Sequence, residues 1–273
     1  MNQEESNRSL IFSNSVLVAG SIIALSWLLF PVHYVNESPF GPLPDTLVSM
    51  FLLMFMLSPL IVLMFIHRYN GLSGVTVFLK DRWRVRCHAL WYLVSVFLFP
   101  ILAMLSFGVF VVIGGNVPAM SEDLPYALIG VFSIGFIANL IENYAWRGYL
   151  QEAFQRNHSV FVSSLLVGIV WGLWHVPLLV IPEAPLEELP ILLYMVLIIG
   201  LSIIFGWVYD KTKSVVHVTV MHTIFNSINA VIVVSIITAT LEISLFIAIY
   251  TLHIWLVVLG VVFHKYRVAD GNW

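Results

Sequence analysis

Leu189 to Tyr209 read LPILLYMVLIIGLSIIFGWVY, a run without a single charged residue. At 1.5 Å of rise per residue, a helix of this length covers about 30 Å, the thickness of a bilayer's hydrocarbon core. Seven further stretches are similarly long and predominantly apolar. They run approximately Leu10–Phe30, Thr46–Ile66, Ala89–Gly114, Tyr126–Tyr149, Val160–Ile181, Val215–Ile237 and Ile243–Phe263. Strands of a closed barrel would be about ten residues long and would alternate in polarity. These runs are continuous and roughly twice that length, so they predict helices. The expected fold is an all-α integral membrane protein, a bundle of about eight transmembrane helices with both termini cytoplasmic.

Composition agrees. The 273 residues are 60% hydrophobic and 10% charged, with a net charge of −3. Soluble domains carry about 25% charged residues, and a globule of this size could not hide so much apolar surface. Disorder, a nucleic-acid partner and an ordinary soluble enzyme are excluded. The one cysteine, Cys87, rules out an intramolecular disulfide and a multi-cysteine metal site.

The charges order the spans. Connections after spans 1, 3, 5 and 7 hold Glu37 and Asp45, Glu122 and Asp123, Glu183, Glu187 and Glu188, and Glu242, with no Lys or Arg. The opposite side holds Arg8, then Arg68, Lys80, Arg82, Arg84 and Arg86, then Arg147 and Arg156, then Lys211 and Lys213, then Lys265 and Arg267. The positive-inside rule puts that side in the cytoplasm. Met1 to Ser9 carries Glu4 and Glu5 against one Arg, and the apolar run behind it is too long for a cleaved signal. The first span is therefore expected to remain. The largest cytoplasmic connection, His67 to His88, interleaves Trp83 with Arg82, Arg84 and Arg86, a pattern suited to anionic headgroups. A plain topogenic charge cluster fits equally.

Ionisable groups at bilayer depth are costly and mark function by default. Glu142 is the acidic residue set well inside an apolar run. His175, and His222 with Asn226, follow on two other spans. At about 100° per residue, His222, Asn226 and Asn229 share a stripe, Trp171 and His175 share a face, and Asn139 lies near Glu142. The same rule sets Arg147 directly above Asn143. Taken singly, a His or Asn here reads as an interhelical hydrogen-bonding group, and Glu142 with Arg147 reads as an ion pair. Three polar clusters on three spans favour a site.

A carboxylate and an imidazole can take a proton from water, while a second imidazole and an amide can donate to an oxyanion. Equally, Glu142, His175 and His222 could hold a zinc with an open position for water. Residue types alone leave both open. A His-Glu-x-x-His site is absent, and a two-aspartate site would have Asp210 alone. Gly71-Leu72-Ser73-Gly74 falls in the basic connection and reads as chance. Asn36-Glu37-Ser38 is a weak glycosylation match.

Glu142-Asn143-Tyr144-Ala145-Trp146-Arg147, Trp171-Gly172-Leu173-Trp174-His175 and His222-Thr223-Ile224-Phe225-Asn226 come in that order. In this they resemble the CPBP family of intramembrane proteases, also called CAAX-protease and bacteriocin-processing (Abi) proteins. That family includes Rce1-type prenyl proteases and proteins like lysostaphin resistance protein A. Its pattern is Glu-Glu-x-x-x-Arg, aromatic-x-x-x-His, then His-x-x-x-Asn/Asp. The resemblance implies a membrane endopeptidase whose site opens to the cytoplasmic side, with Glu142 and His175 activating water. His222 and Asn226 would stabilise the oxyanion, and Arg147 would have a structural or substrate-orienting role. It implies no certain cofactor and leaves zinc open. Implied partners are a peptide or membrane-protein substrate and the lipid bilayer.

Three regions are expected: helices 1–3 in 1–124, a core of helices 4–7 in 125–240, and a last helix with a short tail in 241–273. The compact chain suggests a bacterial plasma membrane. The departure is Asn143, which stands where the family has its second Glu. It is expected to contact Arg147 as a neutral amide, so Asn143→Glu should be tolerated. The departure also gives weight to a catalytically silent scaffold or immunity protein. A small proton-coupled transporter using Glu142 is a third reading.

Overall fold

The computed structural model describes residues 14–28, 50, 53–116, 122, 124–179, 189–236 and 240–267, without the side chains of 127, 231–242 and 264–267. Met1 to Ser9, the triplet Asn36-Glu37-Ser38, and Glu37, Asp45, Asp123, Glu183, Glu187 and Glu188 lie outside the described residues.

The chain is an all-α membrane protein, with no strand among the described residues. We label its helices α1 Ser15–Trp27, α2 Leu53–Arg82, α3 Ala89–Val112, α4 Leu124–Phe154, α5 Val160–His175, α6 Ile191–Thr212, α7 Val215–Ile236 and α8 Thr240–Arg267. Six of these regions are long and apolar enough to cross a bilayer: α2, α3, α4, α5 with its 3-10 extension to Leu179, α6, and residues 243–263 of α8. Their outward faces carry large apolar side chains, among them Met64, Val112, Tyr126 and Leu192, each at least 70% exposed. Such a surface needs lipid against it.

Local chemistry sets several boundaries. The Ser159 hydroxyl accepts from the Val162 N–H at 3.2 Å and caps α5. α6 follows Pro190 and stops at Lys213, whose φ of 50° is left-handed. The expected loop His67–His88 is mostly helical: α2 runs on to Arg82, with a break at Gly71. Gly71 has φ 66°, a conformation that a side chain would strain. The half-helix beyond it docks on α4. Arg82 pairs with Glu152 and donates from Nε to the Gly148 carbonyl at 2.7 Å.

α4 is not a plain α-helix. It is π-helical over Val131–Gly135 and again over Tyr144–Gln151. The second π stretch begins directly after Asn143 and changes the angular register of everything beyond it.

α6, which takes up most of the uncharged run 189–209, is the central helix, with the largest buried share of its apolar window among the candidate spans, 61%. It packs most extensively against α5 and also meets α7 and α8, while α7 lies against α3 and α4. Indole N–H groups peg the outer helices to the bundle. Trp27 donates to the Leu173 carbonyl at 2.9 Å, Trp174 to Ser58 Oγ at 2.9 Å, and Trp255 to the Val196 carbonyl at 3.0 Å. At the end of the bundle that carries the basic residues, Cys87 Sγ lies 3.0 Å from His217 Nε2. Ser214 spends its hydroxyl proton on the Arg84 carbonyl, so at 2.9 Å it accepts from His217 Nδ1. His217 Nε2 therefore accepts from the thiol, which burial keeps protonated by raising its pKa. His217 thus ties α7 to the 83–88 connection.

Candidate active site

Trp171 on α5 is the hub. Its indole Nε1 donates to Glu142 Oε2 at 2.9 Å, and Trp146 Nε1 reaches the same oxygen at 3.3 Å. The Trp171 ring centroid lies 5.7 Å from that of His175 and 5.2 Å from that of His222. A carboxylate from α4, an imidazole from α5 and an imidazole from α7 therefore surround one aromatic side chain that is 1% exposed. The i, i+4 step from Trp171 to His175 puts both on one face.

The two imidazoles are held differently. His175 Nδ1 lies 3.0 Å from the Trp171 carbonyl. A carbonyl only accepts, so Nδ1 carries the proton and Nε2 keeps a lone pair. His175 is half-buried and packed between Trp174 and Tyr194, with centroids at 4.5 and 5.7 Å. His222 is buried, with its ring against Phe205 at 5.4 Å and its Nδ1 3.4 Å from the Asn143 amide nitrogen.

Asn226 is brought in from α7 by α4. Its Nδ2 donates to Asn139 Oδ1 at 3.0 Å, while Asn139 Nδ2 donates to Thr223 Oγ1 at 3.1 Å. Asn229 shares the stripe on paper, but its buried Oδ1 has no hydrogen-bond partner among the described residues.

Arg147 overturns the helical arithmetic. Its expected neighbour was Asn143, four residues back. Instead Asn143 turns to α7, with its amide nitrogen 2.8 Å from the Asn139 carbonyl, 3.4 Å from Thr219 Oγ1 and 3.4 Å from His222 Nδ1. Arg147 turns to α6: Nη1 donates to the Ser202 carbonyl at 3.1 Å and to its Oγ at 3.0 Å, and Nη2 donates to the same Oγ at 3.0 Å. The π-helix between the two residues is the physical reason, because i to i+5 winding moves 147 off the face that ideal spacing assigns it. The guanidinium is 0% exposed, lies over the faces of Trp171 and Phe205 at 5.9 and 5.8 Å, and makes no ion pair among the described residues. The Glu142–Arg147 ion pair is therefore not formed.

Sequence reasoning missed Trp146, Gln151, Ser202, Thr219 and Thr223. Ser202 had the one available signal, a polar residue in the middle of an otherwise apolar run. Nothing in one chain says which helix faces it.

The donors as placed do not build a zinc site. Among the described residues no group of three or more His, Cys, Asp or Glu could hold a metal ion. Glu142 Oε2 already accepts from two indoles, and His222 Nδ1 faces an amide donor.

The family comparison falls on the helices that build this site. Residues 124–228 match the family model of the type II CAAX prenyl endopeptidase Rce1-like proteins. Over these residues the chain is similar to the Rce1-like proteins. Glu142, His175, His222 and Asn226 all lie inside the matched residues. A curated CAAX prenyl protease 2 of Methanococcus maripaludis is 26% identical over 140 residues, covering 47% of this chain and 52% of that relative. The chain thus spans about half the length of the curated relative it matches. The matched segment is the one in which α4 carries Glu142 on an α turn and Arg147 on a π turn.

Proposed function

We propose that the chain is an intramembrane endopeptidase that hydrolyses a peptide bond of a membrane-associated protein or peptide, in CAAX-type or bacteriocin- or signal-peptide-type processing. One observation carries the reading: a carboxylate and two imidazoles from three helices meet round Trp171. The CAAX prenyl protease 2 named above supports it.

In the proposed reaction Glu142 accepts a proton from water through Oε1, while the two indoles hold Oε2 in place. His175 offers its Nε2 lone pair to the same water. The water oxygen bonds to the scissile carbonyl carbon, and the carbonyl oxygen takes the negative charge. N–H groups of His222 and Asn226 meet that charge where it develops. The C–N bond then breaks, and the proton held by Glu142 passes to the departing amine. Arg147 joins α4 to α6 through Ser202 and keeps the Glu142 helix in register. We place the site toward the cytoplasmic side, with both termini in the cytoplasm, on the strength of the basic residues gathered at that end.

The test is Glu142→Gln in membranes containing a lipid-anchored reporter peptide. Gln keeps the shape and still accepts from both indoles, but it cannot take a proton from water. Loss of cleavage by a variant that inserts and folds as the parent does supports the reading. Cleavage at the parental rate removes Glu142 as the base. A parent that cuts no peptide leaves the silent scaffold as the better reading.

A further inference from the structure

We propose that Asn143 is a positioning residue that holds His222 in the tautomer with its proton on Nε2. That makes Nε2–H the donor offered to the oxyanion, so this part rests on the reading of His222 given above. The argument starts from which way the Asn143 amide points. Its nitrogen lies 2.8 Å from the Asn139 backbone carbonyl. A carbonyl oxygen can only accept, and Oδ1 in that place would be repelled, so this end of the amide is the NH2 group.

The same nitrogen lies 3.4 Å from His222 Nδ1 and 3.4 Å from Thr219 Oγ1. One hydrogen goes to Asn139, and the other is shared between the imidazole and the hydroxyl. An N–H of the imidazole pointing at this NH2 would set donor against donor in a place where Asn143 is 1% and His222 4% exposed. Nδ1 therefore presents its lone pair. A neutral imidazole has one proton, and it sits on Nε2.

The residue type at 143 decides this. A carboxylate there accepts and does not donate, so it would draw the proton to Nδ1 and leave a lone pair on Nε2. The same histidine would then face the oxyanion with an acceptor. The departure of this chain from the Glu-Glu-x-x-x-Arg pattern thus acts on His222 rather than on Arg147. It also reverses the expectation for Asn143→Glu: the added carboxylate enters the α4–α7 contact and impairs the donor.

The experiment uses the full chain in nanodiscs, labelled with 15N-histidine, with the His222 signals assigned by their loss in His222→Gln. Nitrogen chemical shifts separate the two tautomers. We expect Nε2–H in the parent, Nδ1–H with an unprotonated Nε2 in Asn143→Asp, and a mixture of tautomers in Asn143→Ala. The Ala variant carries the test if the Asp variant does not fold. Cleavage kinetics should show kcat lower in Asn143→Asp by about 10²–10³-fold with KM near the parent's, because an oxyanion donor acts in the transition state. Nδ1–H in the parent overturns the proposal, as does an Nε2 proton that stays unmoved in both variants. A tautomer that shifts as expected with unchanged kcat leaves Asn143 in control of the ring and overturns the oxyanion role of His222.

Discussion

Ser202→Ala tests the polar junction that holds the site helices together. Ser202 is 0% exposed on α6, and its hydroxyl is the node of that junction. It accepts from Arg147 Nη1 and Nη2, each at 3.0 Å, and donates to the Ser164 carbonyl on α5 at 2.6 Å. Removing it takes away the Nη2 hydrogen bond, while Nη1 keeps the Ser202 carbonyl at 3.1 Å and Gln151 Oε1 at 3.3 Å. Nε already lacks a partner among the described residues. A buried cation is then left with two of its three nitrogens unserved. Hydrogen bonds to charged groups contribute about 1.5–3 kcal/mol each, and the two lost here share one oxygen, so we expect about 2–4 kcal/mol of destabilisation. Ser227→Ala is the control: among the described residues that buried hydroxyl bonds back to the Thr223 carbonyl of its own helix and to nothing else, and its loss should stay within about 0.5 kcal/mol. The assay is reversible unfolding of purified protein in mixed micelles, titrated with a denaturing detergent. A Ser202→Ala variant as stable as Ser227→Ala would show that the guanidinium does not depend on α6.

Trp171→Phe keeps the ring beside both histidines but deletes the stronger donor to Glu142. Stability should fall by about 1.5–3 kcal/mol and cleavage of the reporter should slow, read from unfolding and initial rates in parallel. Gly168→Ala would set a Cβ 2.9 Å from Ser202 Cβ and 3.0 Å from the backbone of Ile199. It should cost about 1–3 kcal/mol by wedging α5 from α6. Gly260→Ala has nothing within 4 Å of its new Cβ and should be silent in the same unfolding assay. Arg82→Gln removes the ion pair with Glu152 that fastens the end of α2 to α4. Proteolysis between Gly71 and Arg82 should become faster, with global stability lowered by no more than about 1 kcal/mol for a pair that solvent partly reaches.

Solvation alone made the membrane helices and the polar clusters readable. A run such as Leu189–Tyr209 has one stable home, because its backbone must bond within itself in lipid and its side chains have no use for water. The cost of a carboxylate among such runs singled out Glu142 in the same way, and the motif order round His175, His222 and Asn226 followed along the chain. Those are local facts about a residue and its neighbours in sequence. What α4 does at Asn143 is not local. Ideal spacing put Arg147 over Asn143, and the π turn after Asn143 sent the two side chains to opposite neighbours, Ser202 on α6 and Thr219 with His222 on α7. The insertion of α6 beside α5 decided that a serine would hold the buried guanidinium. A helix periodicity describes a helix by itself, whereas which faces meet depends on how the described helices, each almost featureless in pattern, interlock through small residues and a few pegs. Only the packed bundle contains that information, and it is there that Asn143, Trp171 and Ser202 acquire their roles.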